Sequence, residues 1–316
     1  MNTKLNFEQS SKHEAGIRTR SVVVRGPNSS DKDHDQIAEE IAVAMVYNGI
    51  SHAVMMATPL DLEDFALGFS LTEGIINDRS QFYGVDIVRS ELGFECQIEV
   101  PSSVFMSLKQ RRRHLSGRTG CGICGLESLA AVVPDLRLIQ QAQKLSLDDS
   151  DDSHRRGTNC NQDSAEPMMS VSPATQVSNS YLPSFDVVDK ALKQLHDQQA
   201  LRAKCGAVHA AAFADLQGNI TLLREDVGRH NALDKLLGSR AHKNHDNSAG
   251  FIVISSRASY EMVYKTAVRG IKTLVAASAP TAMAIELAEQ ADMNLIGFVR
   301  EGRQLIYCQT QQVSDT

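Results

Sequence analysis

The fold of this chain is decided by residues 251–278, FIVISSRASYEMVYKTAVRGIKTLVAAS. The apolar run at residues 251–255 predicts a buried strand, because it is short and rich in β-branched and aromatic residues. The spacing of apolar residues over 260–268 predicts a helix that Gly270 ends. A second strand is predicted over 273–277. A strand, a helix and a second strand in this order predict a parallel pair in a layered α/β sheet.

The same alternation extends in both directions from this stretch. It predicts helices over residues 187–201, 231–237 and 282–290, and Gly238 is the predicted end of the second. Further strands are predicted over residues 207–214, 220–224, 295–299 and 304–307. Together these elements predict a main α/β domain over residues 183–310 with a partly parallel sheet.

The first part of the chain is richer in predicted strands. Asn48-Gly49 between two apolar runs predicts a hairpin, because both turn residues tolerate a positive φ. A strand at 20–25 and a charged loop through Asp35 are predicted before the hairpin. One helix, opened by Thr58-Pro59 and ended by Gly74, and strands at 85–89 and 94–100 are predicted after it. Residues 19–116 are therefore predicted to form a small α+β domain.

Length and composition exclude several classes of protein. At about 150 residues per domain, a chain of 316 residues predicts about two domains. The net charge of −6 argues against a dedicated nucleic-acid-binding protein. No apolar run approaches the roughly 18 residues of a membrane helix, and residues 1–21 lack the apolar stretch of a secretory signal. The expected location is the cytoplasm, with neither a membrane nor a nucleic acid as partner.

Two segments have too few apolar residues to form a core. Residues 148–182 are rich in Asp, Ser, Asn, Gln and Pro, and they predict a disordered insert. Residues 1–18 predict a disordered N-terminus. Residues 117–147 are expected to form a cysteine loop and a helix that lead into the main domain.

Of the six cysteines, only Cys121 and Cys124 lie close together in sequence. They lie within GRTGCGICG (residues 117–125), where glycines allow backbone amides to approach a bound anion or thiolate. Cations lower the pKa of a nearby thiol, and cationic residues precede the pair: Lys109, Arg111, Arg112, Arg113, His114 and Arg118. The pattern predicts a reactive thiol pair suited to sulfur transfer or thiol exchange.

The same pair has other interpretations. It could be half of a structural zinc site that Cys205 and His209 complete. A thioredoxin-like redox pair is disfavoured, because no βαβ pattern surrounds it in the right order. Deaminase catalysis is disfavoured too, because Ala211 stands where the general acid/base Glu of a His-x-Glu motif would be. The basic run could simply be a solvated face.

Three polar strings follow predicted strands. In residues 224–235 (REDVGRHNALDK), Arg229 and His230 can donate to phosphate and Glu225 or Asp226 could accept from a guanine edge, unless the string is a capped, salt-bridged helix start. Residues 255–259 (SSRAS) could form an anion site or simply cap a helix. Residues 297–303 (GFVREGR) form a hairpin that could also stack on an anionic heterocyclic ligand.

Together these strings resemble the FdhD family, sulfur carrier proteins required for formate dehydrogenase activity. Three more strings carry the resemblance, 65–76 (FALGFSLTEGII), 208–212 (VHAAA) and 278–281 (SAPT), and the match at Ser255 extends to residue 261 (SSRASYE). The matches run from about residue 20 to about residue 308, except across the insert.

The resemblance implies a specific function. A persulfide from a cysteine desulfurase would be carried by Cys121, with Cys124 assisting. The sulfur would pass to the molybdenum cofactor, bis(molybdopterin guanine dinucleotide), before its insertion into formate dehydrogenase. The resemblance also implies a cytidine-deaminase-like main domain, a homodimer, and a cofactor-binding segment at Phe298, Val299, Arg300, Glu301, Gly302 and Arg303.

Two other functions stay open from the residues. One is a zinc-stabilised chaperone that binds a guanine nucleotide and the molybdenum cofactor but carries no sulfur. The other is an RNA-binding protein that uses the basic run, which the acidic total and the small aromatic share of 5% disfavour.

Overall fold

The computed structural model describes residues 16–24, 32–115, 182–243, 245–300 and 302–310, without the side chains of residues 32, 33 and 111–115. The predicted cysteine loop with Cys121 and Cys124 lies outside the described residues. So do Glu301, residues 1–15 of the predicted disordered N-terminus, and residues 148–181 of the predicted insert.

The described ranges contain strands and helices in an alternating order. The strands are β1 (Ile17–Val23), β2 (Lys32–Ala38), β3 (Ile41–Tyr47), β4 (Ile50–Ala57), β5 (Gly84–Arg89), β6 (Gly93–Glu99), β7 (His209–Asp215), β8 (Ile220–Asp226), β9 (Gly250–Ile254), β10 (Thr273–Ala276), β11 (Asn294–Arg300) and β12 (Arg303–Cys308). The helices are α1 (Leu62–Thr72), α2 (Ser102–Leu115), α3 (Phe185–Gln198), α4 (Ala200–Cys205), α5 (Arg229–His242), α6 (Tyr260–Ala267) and α7 (Ala282–Gln290), with a short 3₁₀ turn at Arg79–Gln81.

A six-stranded sheet forms the centre of the C-terminal part, with the strand order β12-β11-β10-β9-β7-β8. Strands β9, β10 and β11 are parallel, whereas β7 is antiparallel to both β8 and β9. Apolar side chains of α5, α6 and α7 pack on one face, and those of α3 pack on the other. The α/β class predicted from residues 251–278 is confirmed.

A four-stranded sheet with the order β4-β3-β6-β5 forms the N-terminal part, which we call the small unit. The side chains of α1 and the first half of α2 cover one face of this sheet. The predicted Asn-Gly hairpin is confirmed, since Asn48 and Gly49 have φ values of 44° and 82° and pair β3 with β4. Strands β1 and β2 form a separate two-stranded ribbon.

Helices α1 and α5 cross so closely that two glycines are needed. A Cβ on Gly68 would lie 1.7 Å from the Asp234 carbonyl oxygen, and one on Gly238 would lie 1.9 Å from the Asp64 carbonyl oxygen. The predicted end of the helix at Gly238 is therefore wrong. The helix continues to His242, and the glycine serves the crossing instead.

Three other features of local structure differ from the sequence-based expectations. The charged loop expected through Asp35 contains β2, whose backbone pairs with β1 although its side chains are largely exposed. Helix α2 was not predicted, because only Val104 and Leu108 are buried among its described side chains. The single helix expected over 187–201 is two helices, broken at Gln199.

Buried ion pairs accompany the helix crossing. The Lys235 ammonium lies 2.6 Å from the Asp226 carboxylate and donates to the Thr58 carbonyl oxygen. The Lys265 ammonium lies 2.7 Å from Asp234, which also accepts from the Thr72 hydroxyl. Burial alone would lower the pKa of Lys265, but the charges of Asp234 and Glu73 and their hydrogen bonds together outweigh burial and raise that pKa. Both ion pairs belong to the part with the six-stranded sheet, and their hydrogen bonds to Thr58 and Thr72 join that part to the small unit.

Candidate functional site

The carboxyl ends of the parallel strands β9, β10 and β11 meet at one edge of the six-stranded sheet, which we call the carboxyl edge. The loop after β10 is joined to the loop after β9, since the Thr281 amide donates to the Ala258 carbonyl oxygen at 3.0 Å. Strand β7 begins and β8 ends at this edge, because His209 pairs with Asp226 and Ala211 with Ile254. Ligands of open α/β sheets bind at such edges.

The topology therefore brings together strings that lie far apart in sequence. All the matching strings of the main domain reach the carboxyl edge: residues 208–212, 224–235, 255–261, 278–281 and 297–303. Their convergence makes this edge the candidate functional site of the described residues.

Phe298 lies at this edge in an unusual backbone conformation. Its φ is 51°, a value that large side chains rarely adopt, and the register of β11 against β12 shifts between Gly297 and Arg300. The residue is 37% exposed, and the Arg300 guanidinium carbon lies 5.8 Å from the centre of its ring. An exposed ring beside a guanidinium can hold a flat, anionic ligand.

The other residues predicted to bind a cofactor have different surroundings. Val299 is buried in the core beneath the sheet, so its side chain faces away from any ligand at the edge. Arg300, Gly302 and Arg303 are exposed in the turn that joins β11 to β12, and Gly302 has a φ of 75°. The turn can thus offer Phe298 and two guanidinium groups.

A cluster of cationic and imidazole side chains lies at the other end of the edge. His209, the first residue of β7, has a lowered pKa because its ring is partly buried and because Arg229 and Arg202 lie nearby. These guanidinium groups belong to the start of α5 and to α4. The arrangement favours a neutral His209 ring in a positive field.

His230 and Glu261 form a pair in the same place. The His230 Nε2 lies 2.7 Å from the Glu261 Oε2, and this contact keeps the pKa of the Glu261 carboxyl below its usual range. The Arg229 Nε, the His230 Nε2 and the Ser259 Oγ are buried atoms that make no hydrogen bond of standard geometry among the described residues. The predicted phosphate donors at 229 and 230 differ in that His230 has a carboxylate close to its ring nitrogen.

The predicted role of Glu225 and Asp226 at a guanine edge is wrong. Glu225 accepts hydrogen bonds from the Leu201 and Arg202 amides that begin α4, at 2.8 and 3.0 Å. Asp226 is fully buried against Lys235 and the Thr58 amide. Both carboxylates therefore stabilise the fold. This agrees with the other interpretation of residues 224–235, a capped and salt-bridged helix start.

The sequence did not predict the contacts between the small unit and the residues near the carboxyl edge. Arg224 pairs with Asp64 at 2.6 Å, and the Asn231 side chain donates to the Met56 carbonyl oxygen. Arg202 beside His209 was also missed. These partners are separated by up to 175 positions in sequence, so no local pattern indicates them.

The residues proposed to complete a zinc site lie near this edge. The thiol of Cys205 is within 3.1 Å of the Leu201 carbonyl oxygen, one turn earlier in α4, and His209 begins the next strand. Among the residues that the structure describes, no group of three or more His, Cys, Asp or Glu side chains is placed to hold a metal ion. Because Cys121 and Cys124 lie outside those residues, the zinc alternative stays a prediction.

Known proteins share the sequence strings that lie at this edge. The sequence profile of the FdhD/NarQ family matches residues 38–151 and 138–314. The chain belongs to the FdhD/NarQ family. The FdhD resemblance noted from the sequence is thereby confirmed.

Two curated relatives in this family are similar over most of the chain. The sulfur carrier protein FdhD of Cupriavidus necator is 47% identical over 279 residues, which cover 88% of this chain and 84% of the relative. The sulfur carrier protein FdhD of Xanthomonas euvesicatoria pv. vesicatoria is 46% identical over 280 residues, which cover 88% of this chain and 86% of that protein.

A solved structure shares the fold. The crystal structure described as that of a formate dehydrogenase accessory protein from Desulfotalea psychrophila superposes with a TM-score of 0.62 at 19% identity. The superposition covers 92% of this chain and 96% of the other. The fold seen here is therefore shared over nearly the whole length of both chains.

Proposed function

We propose that this protein is a sulfur carrier that supports the maturation of formate dehydrogenase. The observation that carries the proposal is the convergence, at one sheet edge, of an exposed aromatic ring, several guanidinium groups and buried donors without partners among the described residues. Such an edge suits a large anionic client that carries a flat heterocycle. Relatives at 46–47% identity are named sulfur carrier proteins, which supports the sulfur part of the proposal.

The proposed chemistry begins at Cys121. Its thiolate attacks the outer sulfur of a persulfide on a cysteine desulfurase, which forms a persulfide on Cys121 and releases the desulfurase thiolate. Cys124 assists as a second thiol. The cationic residues before the pair favour the thiolate, which is the reactive form.

The proposed client is the molybdenum cofactor, bis(molybdopterin guanine dinucleotide). Phe298 would stack on a guanine ring, and Arg300 and Arg303 would pair with its phosphates. The sulfur would pass from Cys121 to the client before the client enters formate dehydrogenase. A homodimer in the cytoplasm is part of the same proposal. Among the described residues, none of the helices combines the length and the apolarity needed to span a membrane.

We also propose that the six-stranded sheet is a variant of the cytidine deaminase fold. Three parallel strands with helices on both faces support this relationship. Ala211 follows His209 at the position of the general acid/base Glu, so the proposal concerns the fold and not deamination.

Intact-protein mass spectrometry after incubation with a cysteine desulfurase and cysteine tests the carrier role. The wild type is expected to gain at least one sulfur atom that reductant removes, and the Cys121→Ala variant is expected to gain none. The control is Cys308→Ala, which removes a thiol whose pKa is raised by partial burial. This control is expected to gain sulfur as the wild type does.

Two results would contradict the carrier role. One is uptake of sulfur by Cys121→Ala equal to that of the wild type. The other is no uptake by the wild type together with one bound zinc per chain that is lost in Cys121→Ala or Cys205→Ala, which would favour the chaperone without sulfur.

A further inference from the structure

Helices α1 and α2 pack on one face of the sheet of the small unit and leave its other face uncovered. The covered face includes Val43, Met45 and Cys96. Because side chains alternate along a strand, the residues between these point to the other side of the sheet. We call that side the open face, and the register of the strands β3, β4, β5 and β6 defines its residues.

Strands β3 and β4 give the open face an apolar half. Val54 and Met56 are 61% and 50% exposed, and they lie opposite Ala44 and Ala42 of β3. An antiparallel sheet with one solvated face normally has polar side chains on that face. Residues 53–57 of β4 are apolar throughout, on both faces, which is typical of a strand whose outer face is covered in a complex.

Strands β5 and β6 give the open face an acidic half. Glu95 and Glu99 of β6 and Asp86 of β5 lie on this face. Arg89 is the one Lys or Arg in the four strands, and its register places it on the covered face. Glu95 accepts a hydrogen bond from the neutral Gln97 amide at 3.3 Å, so within the described residues no cation neutralises its charge. The open face is therefore negative as well as partly apolar.

The spacing of the strands fits one helix. Strand β6 lies two strands from β4, which is about 10 Å at about 4.8 Å per strand. An α-helix with its side chains is about 10–12 Å wide. A helix laid along β3 thus reaches Val54 on one side and Glu95 on the other, and the small side chains of Ala42 and Ala44 let it approach the sheet.

We propose that the open face binds a cationic amphipathic helix of a partner protein. Apolar side chains of this helix pack on Val54 and Met56, and Lys or Arg side chains along its flank pair with Glu95 and Glu99. A second copy of the chain fits less well, because a two-fold interface is formed by the same patch of both copies and would bring their carboxylates together. The proposal does not depend on the sulfur chemistry of Cys121.

Fluorescence anisotropy of a labelled, amidated peptide with two LKKLLKL repeats, titrated with the full chain at constant ionic strength, tests the open face. The wild type is expected to bind this peptide. The double variant with Glu95→Lys and Glu99→Lys is expected to weaken binding at least about tenfold, since two attractive charge contacts become repulsive. The matched control carries Glu286→Lys and Glu289→Lys on the exposed side of α7 and should bind as the wild type does.

The apolar half is tested by a change that leaves every charge in place. Val54→Ser is expected to weaken binding about threefold, because it removes apolar area from the contact. Val23→Ser is its control, since Val23 is 73% exposed on β1, outside the four-stranded sheet. If the double variant of β6 melts at a lower temperature than the wild type, the comparison of these two serine variants decides.

Four results would overturn the proposal. The first is no binding of the peptide by the wild type, and the second is equal affinity of Val54→Ser and the wild type. The third is an equal loss of affinity in the double variants of α7 and β6, which would mean attraction to the net charge of the chain instead of to this face. The fourth is a dimer of the wild type that Val54→Ser dissociates, which would mean that a second copy covers the face. Failure of Cys121 to gain sulfur would contradict the proposed function alone, because the peptide titration does not involve that thiol.

Discussion

His209 is buried enough to disfavour its own charge, and it lies between groups that strengthen this effect. Burial lowers its pKa most, followed by Arg229 and Arg202, with a smaller contribution from His230; Asp226 opposes them. The folded protein therefore binds a proton at this ring less readily than the unfolded chain, in which the pKa of histidine is about 6.5. This difference couples the histidine to stability.

We expect the free energy of unfolding to fall as the pH drops below about 6.5, because the unfolded chain then takes up a proton that the folded ring resists. The contribution of His209 is complete above that pH. Urea unfolding near neutral pH and at about one pH unit below 6.5 measures the loss. His209→Gln should lose less stability between the two conditions than the wild type.

The matched control for this prediction is His245→Gln, which changes an exposed histidine beyond α5. It should lose as much stability on acidification as the wild type. An equal loss in His209→Gln and the wild type would contradict the prediction.

At the scale of elements, the crossing of α1 and α5 depends on the absence of a side chain at Gly68. Alanine normally stabilises a helix interior by up to about 1 kcal/mol relative to glycine. Here the added Cβ would lie 1.7 Å from a backbone oxygen of α5, so the two helices would have to separate. The clash costs more free energy than the higher helix propensity of alanine gains, so alanine at this position destabilises the protein.

We expect Gly68→Ala to lower the free energy of unfolding by about 2 kcal/mol, within the range for overpacked cores. Chemical denaturation measures this value. Gly84→Ala is the control, since a Cβ at Gly84 meets nothing within 4 Å. A Gly68→Ala variant at least as stable as the wild type would show that the crossing is looser than described.

Sequence patterns predicted the elements whose local signals agree with their surroundings. Two examples are the buried strand at the start of 251–278 and the Asn48-Gly49 hairpin. A run of adjacent apolar residues indicates the first, and two adjacent residues that tolerate a positive φ indicate the second. The predictions for strand β2 and for the C-terminal end of α5 were wrong, because in both places residues far away in sequence determine the structure. The first is held by backbone pairing with β1, and the second passes through a glycine that a distant helix requires.

The candidate site was predictable in part for the same physical reason. Residues such as Arg229, Ser259 and Phe298 lie near the ends of strands, and the loops after parallel strands gather at one edge of the sheet. The polar neighbours Glu225 and Asp226 have the same local pattern, yet they bind groups of α4 and the small unit. The local sequence does not distinguish a polar side chain that is available to bind a ligand from one that already binds another part of the chain.

At the scale of the whole molecule, the small unit and the six-stranded sheet share buried charged groups. The Asp226–Lys235 pair is 0% exposed on both sides, and Lys235 also donates to Thr58 of the small unit. Separating the two parts would remove the hydrogen bonds of this pair to Thr58 and break the Arg224–Asp64 ion pair. Each buried group left without its partner costs about 1–3 kcal/mol. Neither part is expected to unfold alone at a lower cost than the whole.

We therefore expect one cooperative unfolding transition. Hydrogen exchange followed by mass spectrometry should give peptides from β3 and β9 the same free energy of opening, near the global value. Circular dichroism during urea unfolding provides the second probe and should have the same midpoint. A lower free energy of opening in β3, with β9 still protected, would indicate two independent units.

Helix α2 also restricts where the proposed sulfur can go. Val104 and Leu108 fix the helix on the core of the small unit, and Leu115 is its last residue. Cys121 comes six positions later, so the chain between them spans at most about 21 Å. The outer sulfur of a Cys121 persulfide therefore stays within about 21 Å of the end of α2, plus the length of the side chain. A client held by the same molecule receives this sulfur directly only if its acceptor atom lies inside that radius, and beyond it a second copy of the chain has to deliver the sulfur.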